Sequence, residues 1–203
     1  MKRLVLALFL CLASTLAVSA EMLVLAKEIG PVTRDLQQLC EVRKLKTATG
    51  VSLEVRDPMG STVWSLDELG FEDKKFLVGD RTSSLALVDI DRDGFPEILA
   101  AAVIGPHSSG LFAFRYDALR KTFAPVPCRF PKENLERDCL VSDALQETGG
   151  DLVVREDGSA QVIGLIFDEK GREPPAPGLW TFALQNGVFV HTKTEKLPPP
   201  PQE

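Results

Sequence analysis

A short loop in which three aspartates alternate lies between two apolar segments of this chain. Residues 85–101 read LALVDIDRDGFPEILAA, with Asp89, Asp91 and Asp93 in alternation and Glu97 closing the run. Alternation places three carboxylates on one side of a curving backbone. They repel one another there unless a cation lies between them. Carboxylate oxygens in this number suit Ca²⁺, which takes about 6–8 oxygen ligands, so the loop predicts a divalent-cation site between two strands.

The spacing matches an EF-hand only in part. With Asp89 as the first position, acids fall at the third and fifth positions and Gly94 at the sixth, as that motif requires. The twelfth position is Ala100 instead of a bidentate Glu, and Pro96 lies inside the loop. The flanking segments also lack a capped helical pattern. We therefore expect strands, and not helices, on both sides of the loop.

The loop instead resembles the FG-GAP or VCBS repeat of β-propeller-like proteins, which include the integrin α-subunit head. That family has Asp-x-Asp-x-Asp-Gly-x-x-Asp before an apolar strand, and here the ninth position is Glu97. The resemblance implies a bound Ca²⁺. The ligands it implies are the side chains of Asp89, Asp91, Asp93 and Glu97 and the carbonyl of Phe95. The alternative is an acidic hairpin turn with solvated charges.

Residues 1–20 are typical of a secretion signal. Lys2 and Arg3 form a basic head, an apolar run follows, and Val-Ser-Ala ends the segment as a cleavage site. The run is short for a membrane span, which needs about 20 apolar residues. We expect a periplasmic or secreted chain that starts at Glu21 and has no membrane span. Loss of Lys2 and Arg3 takes the formal net charge from −6 to −8.

An acidic surface restricts the class of partner. It argues against nucleic acid, because binding requires cationic side chains that neutralise phosphates. It permits a basic protein partner without requiring one. The mature length suits one domain, expected at 21–192, and the Pro-rich segment 193–203 is expected to be a disordered tail.

Three cysteines remain in the mature chain, an odd count for an oxidising compartment. Cys128 and Cys139 bracket a mostly polar segment that has little apolar surface to bury. We expect a disulfide between them. Cys40 is expected to stay reduced as a small core residue.

Two parts of the chain are similar to each other. DGFPEIL at 93–99 aligns with DGSAQVI at 157–163, and GLFAF at 110–114 aligns with GLWTF at 178–182. The hairpin pattern at 51–64 is a candidate third unit. The expected fold class is mainly β, with antiparallel sheets built from two or three degenerate repeat units. A barrel, a sandwich or a rudimentary propeller-like stack would fit, since a closed propeller takes four or more blades.

No residue arrangement supports catalysis. The two histidines stand apart from Cys, Asp and Glu, and the chain has no Gly-x-Ser-x-Gly elbow or phosphate loop. The candidate partner-binding loop contains His107, Ser108, Ser109 and Gly110. Ser109-Gly-Leu-Phe before an aromatic strand also resembles periplasmic lysozyme-inhibitor-like β proteins.

The leading expectation is a secreted, non-catalytic, calcium-binding β module that binds a protein or another ligand. The second resemblance implies an alternative, an inhibitor of a basic cell-wall hydrolase such as lysozyme. A further alternative is a hydrolase whose site is not visible in the sequence. We expect a protein partner, which need not be basic.

Overall fold

The computed structural model of the chain describes residues 22–144, 146, 149–167 and 174–198, so the expected signal segment lies outside it. Within these ranges the chain forms strands and no helix. The strands are β1 Leu23–Gly30, β2 Cys40–Lys46, β3 Val51–Arg56, β4 Thr62–Gly70, β5 Glu72–Lys74, β6 Phe76–Val78, β7 Arg81–Ser83, β8 Leu85–Val88, β9 Glu97–Gly105, β10 Ser108–Asp117, β11 Thr122–Pro125, β12 Cys128–Phe130, β13 Leu135–Arg137, β14 Leu140–Ser142, β15 Leu152–Val154, β16 Ala160–Ile166, β17 Ala176–Gln185 and β18 Val188–Lys196.

Three groups of four consecutive strands pair in chain order. Strands β1 to β4 form the first sheet. Strands β8 to β11 lie in the second sheet, which β5 and β14 extend. Strands β15 to β18 lie in the third sheet, together with β6, β7, β12 and β13. Within each group every neighbouring pair is antiparallel, as expected from the sequence.

The sheets are not purely antiparallel, which corrects that part of the expected fold class. β12 pairs with β18 in parallel, and β6 pairs with β15 in parallel. Both pairings join strands far apart in the chain, so no local turn signal indicates them. The mainly β class is confirmed, and none of the sheets of the described residues closes into a barrel.

The second sheet is the middle layer of three, and strand β9 shows why. Ile98, Ala100 and Ala102 lie in one core, which they share with residues of the first sheet. Leu99 and Ala101 lie in another core, which they share with residues of the third sheet. Successive side chains of a strand point to opposite faces, so a strand between two layers must be apolar at every position. The five residues are fully buried, and their unbroken apolar run meets that requirement.

A buried lysine links the first two layers. Lys44 of β2 has no exposed surface, donates to the carbonyl of Ser84 at 2.9 Å and also donates to the carbonyl of Ala101. Its ammonium forms an ion pair of 2.5 Å with Asp73. Burial lowers the pKa of Lys44, and the hydrogen bond and charge of Asp73 oppose this. The ion pair and the carbonyl groups offset the cost of burying the charge.

The last strand continues to Lys196, so residues 193–196 are part of the sheet and not of a tail. Residues 199–203 lie outside the described residues. The described part of the chain contains no helix long and apolar enough to cross a membrane.

Candidate cation site

The acidic loop connects β8 to β9, and its backbone is organised by its own side chains. Asp89 accepts the amide hydrogens of Asp93 at 3.0 Å and Gly94 at 2.9 Å, one on each carboxylate oxygen. Gly94 has φ +94° and Arg92 has φ +61°, so the chain curls through left-handed conformations that Gly accepts without strain. The curl turns the loop back so that its first acid approaches the start of β9.

Three of the four predicted carboxylates come together. Asp89, Asp91 and Glu97 each place a carboxylate oxygen within 4.8 Å of the others. The donor set is entirely oxygen, which is the chemistry that Ca²⁺ and Mg²⁺ prefer over softer metals. These three residues therefore fit a hard divalent cation.

Asp93, the fourth predicted ligand, is directed elsewhere. One of its oxygens forms an ion pair with Arg34, and the other accepts the amide hydrogen of Phe95 at 3.0 Å. The ring of Phe95 lies 5.8 Å from the Arg34 guanidinium. The structure therefore separates Asp93 from the three-acid cluster.

Glu97 is the buried member of the cluster, with 2% of its surface exposed. One oxygen accepts the amide hydrogen of Ile90 at 3.1 Å, and the other accepts Arg115 Nε at 2.8 Å. Burial raises the pKa of Glu97, whereas Arg115 and the Ile90 amide act in the opposite direction. Both oxygens have partners, as a buried carboxylate requires.

Arg115 places a positive charge against this cluster. Its Nη2 lies 2.7 Å from Asp91 Oδ2, in addition to the Nε contact with Glu97. Nη2 is buried and forms no well-aligned hydrogen bond, so its contact with Asp91 is mainly electrostatic. Arg115 and Arg34 thus neutralise part of the repulsion between the carboxylates. From the sequence we expected a metal ion to do this. No pattern within the loop indicates these two partners.

Two other turns lie against the acidic loop and its partner Arg115. A Cβ at Gly158 would lie 2.1 Å from the carbonyl oxygen of Ile90, and a Cβ at Gly187 would lie 2.5 Å from Arg115 Nη1. Arg92 donates to the carbonyl of Glu156 at 3.2 Å. The turn after β15 therefore meets the loop after β8, and the turn after β17 lies against Arg115 of β10. The polar cleft between them has a volume of about 460 Å³.

The predicted partner-binding loop is mostly strand. β9 ends at Gly105 and β10 begins at Ser108, so only Pro106 and His107 lie in the connection, and both are exposed. Ser108 is partly buried, and Ser109 and Gly110 are buried. β10 carries Ser109 and Gly110, two of the four predicted partner-binding residues, into the interior.

The hydroxyl of Ser109 belongs to a buried polar network. It donates to Asp151 at 3.3 Å, and Ser142 donates to the same carboxylate oxygen at 2.8 Å. Lys74 donates to the other oxygen of Asp151 at 2.9 Å. Asp151 has no exposed surface, so the network links the second and third sheets in the interior.

Cys40, Cys128 and Cys139 are free thiols in this structure, so the expected disulfide is not formed. Cys40 lies in the core shared by the first two sheets, whereas Cys128 lies in the core shared by the second and third. Burial raises the pKa of Cys128 to about 12, with a further contribution from Cys139 nearby. Cys139, and not Cys40, is thus the neighbour of Cys128.

Comparison of this chain with protein families, with curated proteins and with solved structures found no match.

Proposed function

We propose that the chain is a calcium-binding β module that acts by binding and not by catalysis. The observation that carries this proposal is the approach of Asp89, Asp91 and Glu97 oxygens to within 4.8 Å of one another. A bound Ca²⁺ would supply positive charge that links the curled loop to the start of β9. Asp89 and Asp91 would hold it from the loop, and Glu97 from the strand.

Arg115 competes with a cation for the carboxylates of the acidic cluster. A cation that uses Asp91 and Glu97 must share their oxygens with the guanidinium or displace it. Either event costs part of an ion pair in a partly buried environment. We expect an affinity in the weak range of extracellular calcium modules, about 10⁻⁴–10⁻³ M, for this reason.

We also propose that the three groups of four strands are diverged copies of one FG-GAP-like unit. Their common strand order supports this, as does the Asp-Gly turn that precedes both β9 and β16. At the positions that align with Asp91 and Glu97, the second turn has Arg155 and Gln161, whose side chains hydrogen-bond at 2.7 Å. That pair needs no cation, which fits loss of the metal site in one copy.

Export to the periplasm or the medium belongs to the same proposal, because weak calcium sites are useful where free calcium is high. The basic head and apolar run of residues 1–20 support it. Intact mass of the exported protein should correspond to a chain starting at Glu21. A mass that retains Met1 contradicts cleavage at this point.

Calorimetric titration with Ca²⁺ tests the cation site. The unmodified protein should bind one ion, and Asp91→Asn should abolish binding. Asp57→Asn is the matched control, since Asp57 organises the β3–β4 turn by accepting the amide hydrogens of Met59 and Ser61 and does not line the cleft beside Asp91. Asp93→Asn tests whether Asp93 is a fourth ligand. If only Asp89, Asp91 and Glu97 hold the ion, this variant should lose little calcium affinity. If Asp93 is also a ligand, as in the FG-GAP pattern, the loss should be large.

The proposal that the chain acts by binding and not by catalysis is tested separately. The inhibitor alternative relied on a projecting serine loop, and the burial of Ser109 removes that support. The protein should leave lysozymes active at equimolar concentration and show no turnover in a broad hydrolase substrate screen. Stoichiometric inhibition would favour the inhibitor alternative, and turnover in the screen would favour the hydrolase.

A further inference from the structure

One face of the third sheet is left open by the described part of the chain. The inner face of this sheet packs on the second sheet through Val162, Trp180 and Phe182. Because successive side chains of a strand point to opposite faces, Ile163 and Leu179 point away from that core. These two residues lie opposite each other on β16 and β17, keep part of their surface exposed and belong to neither core. The outer face of the third sheet is therefore available to a partner.

This outer face is mostly apolar. Its two polar side chains hydrogen-bond within the chain, because Gln161 donates to Thr181 Oγ1 at 3.4 Å and accepts from Arg155 at 2.7 Å. Contiguous apolar surface of this kind is typical of an interaction site. The strand registers place six partly exposed apolar residues on it, Leu77, Val153, Ile163, Leu179, Ala183 and Val190.

The outer face of the first sheet has the opposite character. β2 and β3 read CEVRKLK and VSLEVR, and their outward positions carry Glu41, Arg43, Glu54 and Arg56. Strands that alternate in this way have one face in water. β16 reads AQVIGLI, in which Gln161 is the one polar residue. Strands that are apolar at nearly every position are covered on both faces, as β9 is between its two layers, so the pattern of β16 predicts a further layer over the third sheet.

We propose that a second copy of this chain covers this face, so that two third sheets pack face to face in a symmetric dimer. Sheets that pack in this way lie about 10 Å apart with their strands nearly aligned. The contact removes apolar surface of both copies from water, which is what drives it. It also gives the third sheet a layer on each side, the environment that the second sheet has within one chain.

The charges at the rim of this face are complementary to a second copy. Lys193 and Glu195 of β18 lie opposite Thr181 and Leu179 of β17, so both point outward. They are 2.9 Å apart, with 62% and 49% of their side chains exposed. A two-fold axis that crosses the strands at Thr194 places Lys193 of each copy over Glu195 of the other. The face is then self-complementary, as a contact between identical surfaces requires.

A two-fold axis along the strands would leave these charges without partners. β16 is the middle strand of the run β18, β17, β16, β15 and β6, so such an axis would place β18 of one copy over β6 of the other. Lys193 and Glu195 would then lose water against the apolar Leu77, which is costly for charged groups. The axis across the strands avoids this cost, so the proposal commits to it.

Sedimentation of the mature protein over a range of concentrations is the first test. The mass at high concentration should be that of two chains. Ile163→Glu places a charge in the middle of the face and should give the mass of one chain. Ile29→Glu is the matched control, because Ile29 is 59% exposed and lies beside Glu41 on the outer face of the first sheet. It should leave the dimer intact, and a melting temperature within a few degrees of the unmodified protein shows that each variant is folded.

Exchange of the two rim charges tests the two-fold axis. Lys193→Glu alone places acids over acids and should weaken dimerisation by at least about tenfold. Glu195→Lys alone places lysines over lysines and should have the same effect. A mixture of these two variants should form a heterodimer, because every acid then faces a lysine. An affinity tag on one of the variants and recovery of the other with it measure this association.

Three results would overturn the proposal. One is the mass of a single chain for the unmodified protein even at about 1 mM, which would assign the face to a different partner. Another is a dimer that persists in folded Ile163→Glu, which would place the contact elsewhere. The third is failure of the two charge variants to associate with each other. All measurements are made in chelator, so failure here is distinct from failure of the cation site.

Discussion

Arg115 Nε donates to Glu97 Oε1 at 2.8 Å, and this contact satisfies one side of a carboxylate that is almost completely buried. The amide of Ile90 satisfies the other side. The buried acid therefore has partners within the chain itself. Glu97 therefore does not need a metal to be paired, and we expect a bound cation to add stability to a structure that forms without it.

Arg115→Gln should strengthen calcium binding about tenfold, because removal of a positive charge a few ångströms from the cluster favours a cation there. The same variant should lower the unfolding free energy without calcium by about 3 kcal/mol, since Glu97 loses its charged partner. Calorimetric titration and urea unfolding measure the two effects.

Arg34→Gln is the control for this substitution. Arg34 contacts Asp93, which lies outside the cluster, so calcium affinity should change much less. Unchanged or weaker calcium binding by Arg115→Gln would show that the guanidinium does not compete with the ion.

Asp151→Ala should destabilise the protein by about 3–5 kcal/mol, because it leaves the buried ammonium of Lys74 without its carboxylate partner. Ser142→Ala removes only one neutral donor to the same carboxylate and should cost about 1 kcal/mol. Urea unfolding followed by circular dichroism compares them. Equal effects would contradict the central role of the ion pair.

The Cys128–Cys139 disulfide remains a prediction and should form before the chain folds. Burial raises the pKa of Cys139 to about 11 and that of Cys128 to about 12, so the reactive thiolates are scarce near neutral pH in the folded state. Protein folded under oxidising conditions should contain this disulfide and a reduced Cys40. Protein folded with its thiols reduced should keep all three for hours in air at pH 7.5.

Peptide mapping distinguishes the protein with the Cys128–Cys139 disulfide from the fully reduced protein. A disulfide that includes Cys40 would contradict the assignment, since Cys40 and Cys128 lie in different cores. Rapid alkylation of Cys128 in the folded, reduced protein would contradict its protected environment.

The sequence was sufficient for features that depend on local pattern. The alternating acids and the apolar run that follows predicted the loop and β9, and the pattern at 51–64 predicted the hairpin of β3 and β4. Three of the four predicted carboxylate ligands, Asp89, Asp91 and Glu97, lie close together as expected.

Features that depend on distant contacts did not follow from the sequence. Arg115 and Arg34 lie 18 and 59 residues from their acidic partners, and nothing in the spacing connects them. Ser109 resembled an exposed loop residue, because Ser and Gly are frequent in turns. Its partner Asp151, 42 residues away, is what allows it to be buried.

Thermal unfolding with excess Ca²⁺ and with chelator tests the central claim most directly. At about a hundredfold excess over the dissociation constant, mass action adds about 2.7 kcal/mol, or about 5–10 °C in melting temperature for a domain of this size. The unmodified protein should be folded in both solutions and show this shift, and Asp91→Asn should lose it. Identical melting curves of the unmodified protein in calcium and in chelator would contradict the cation site.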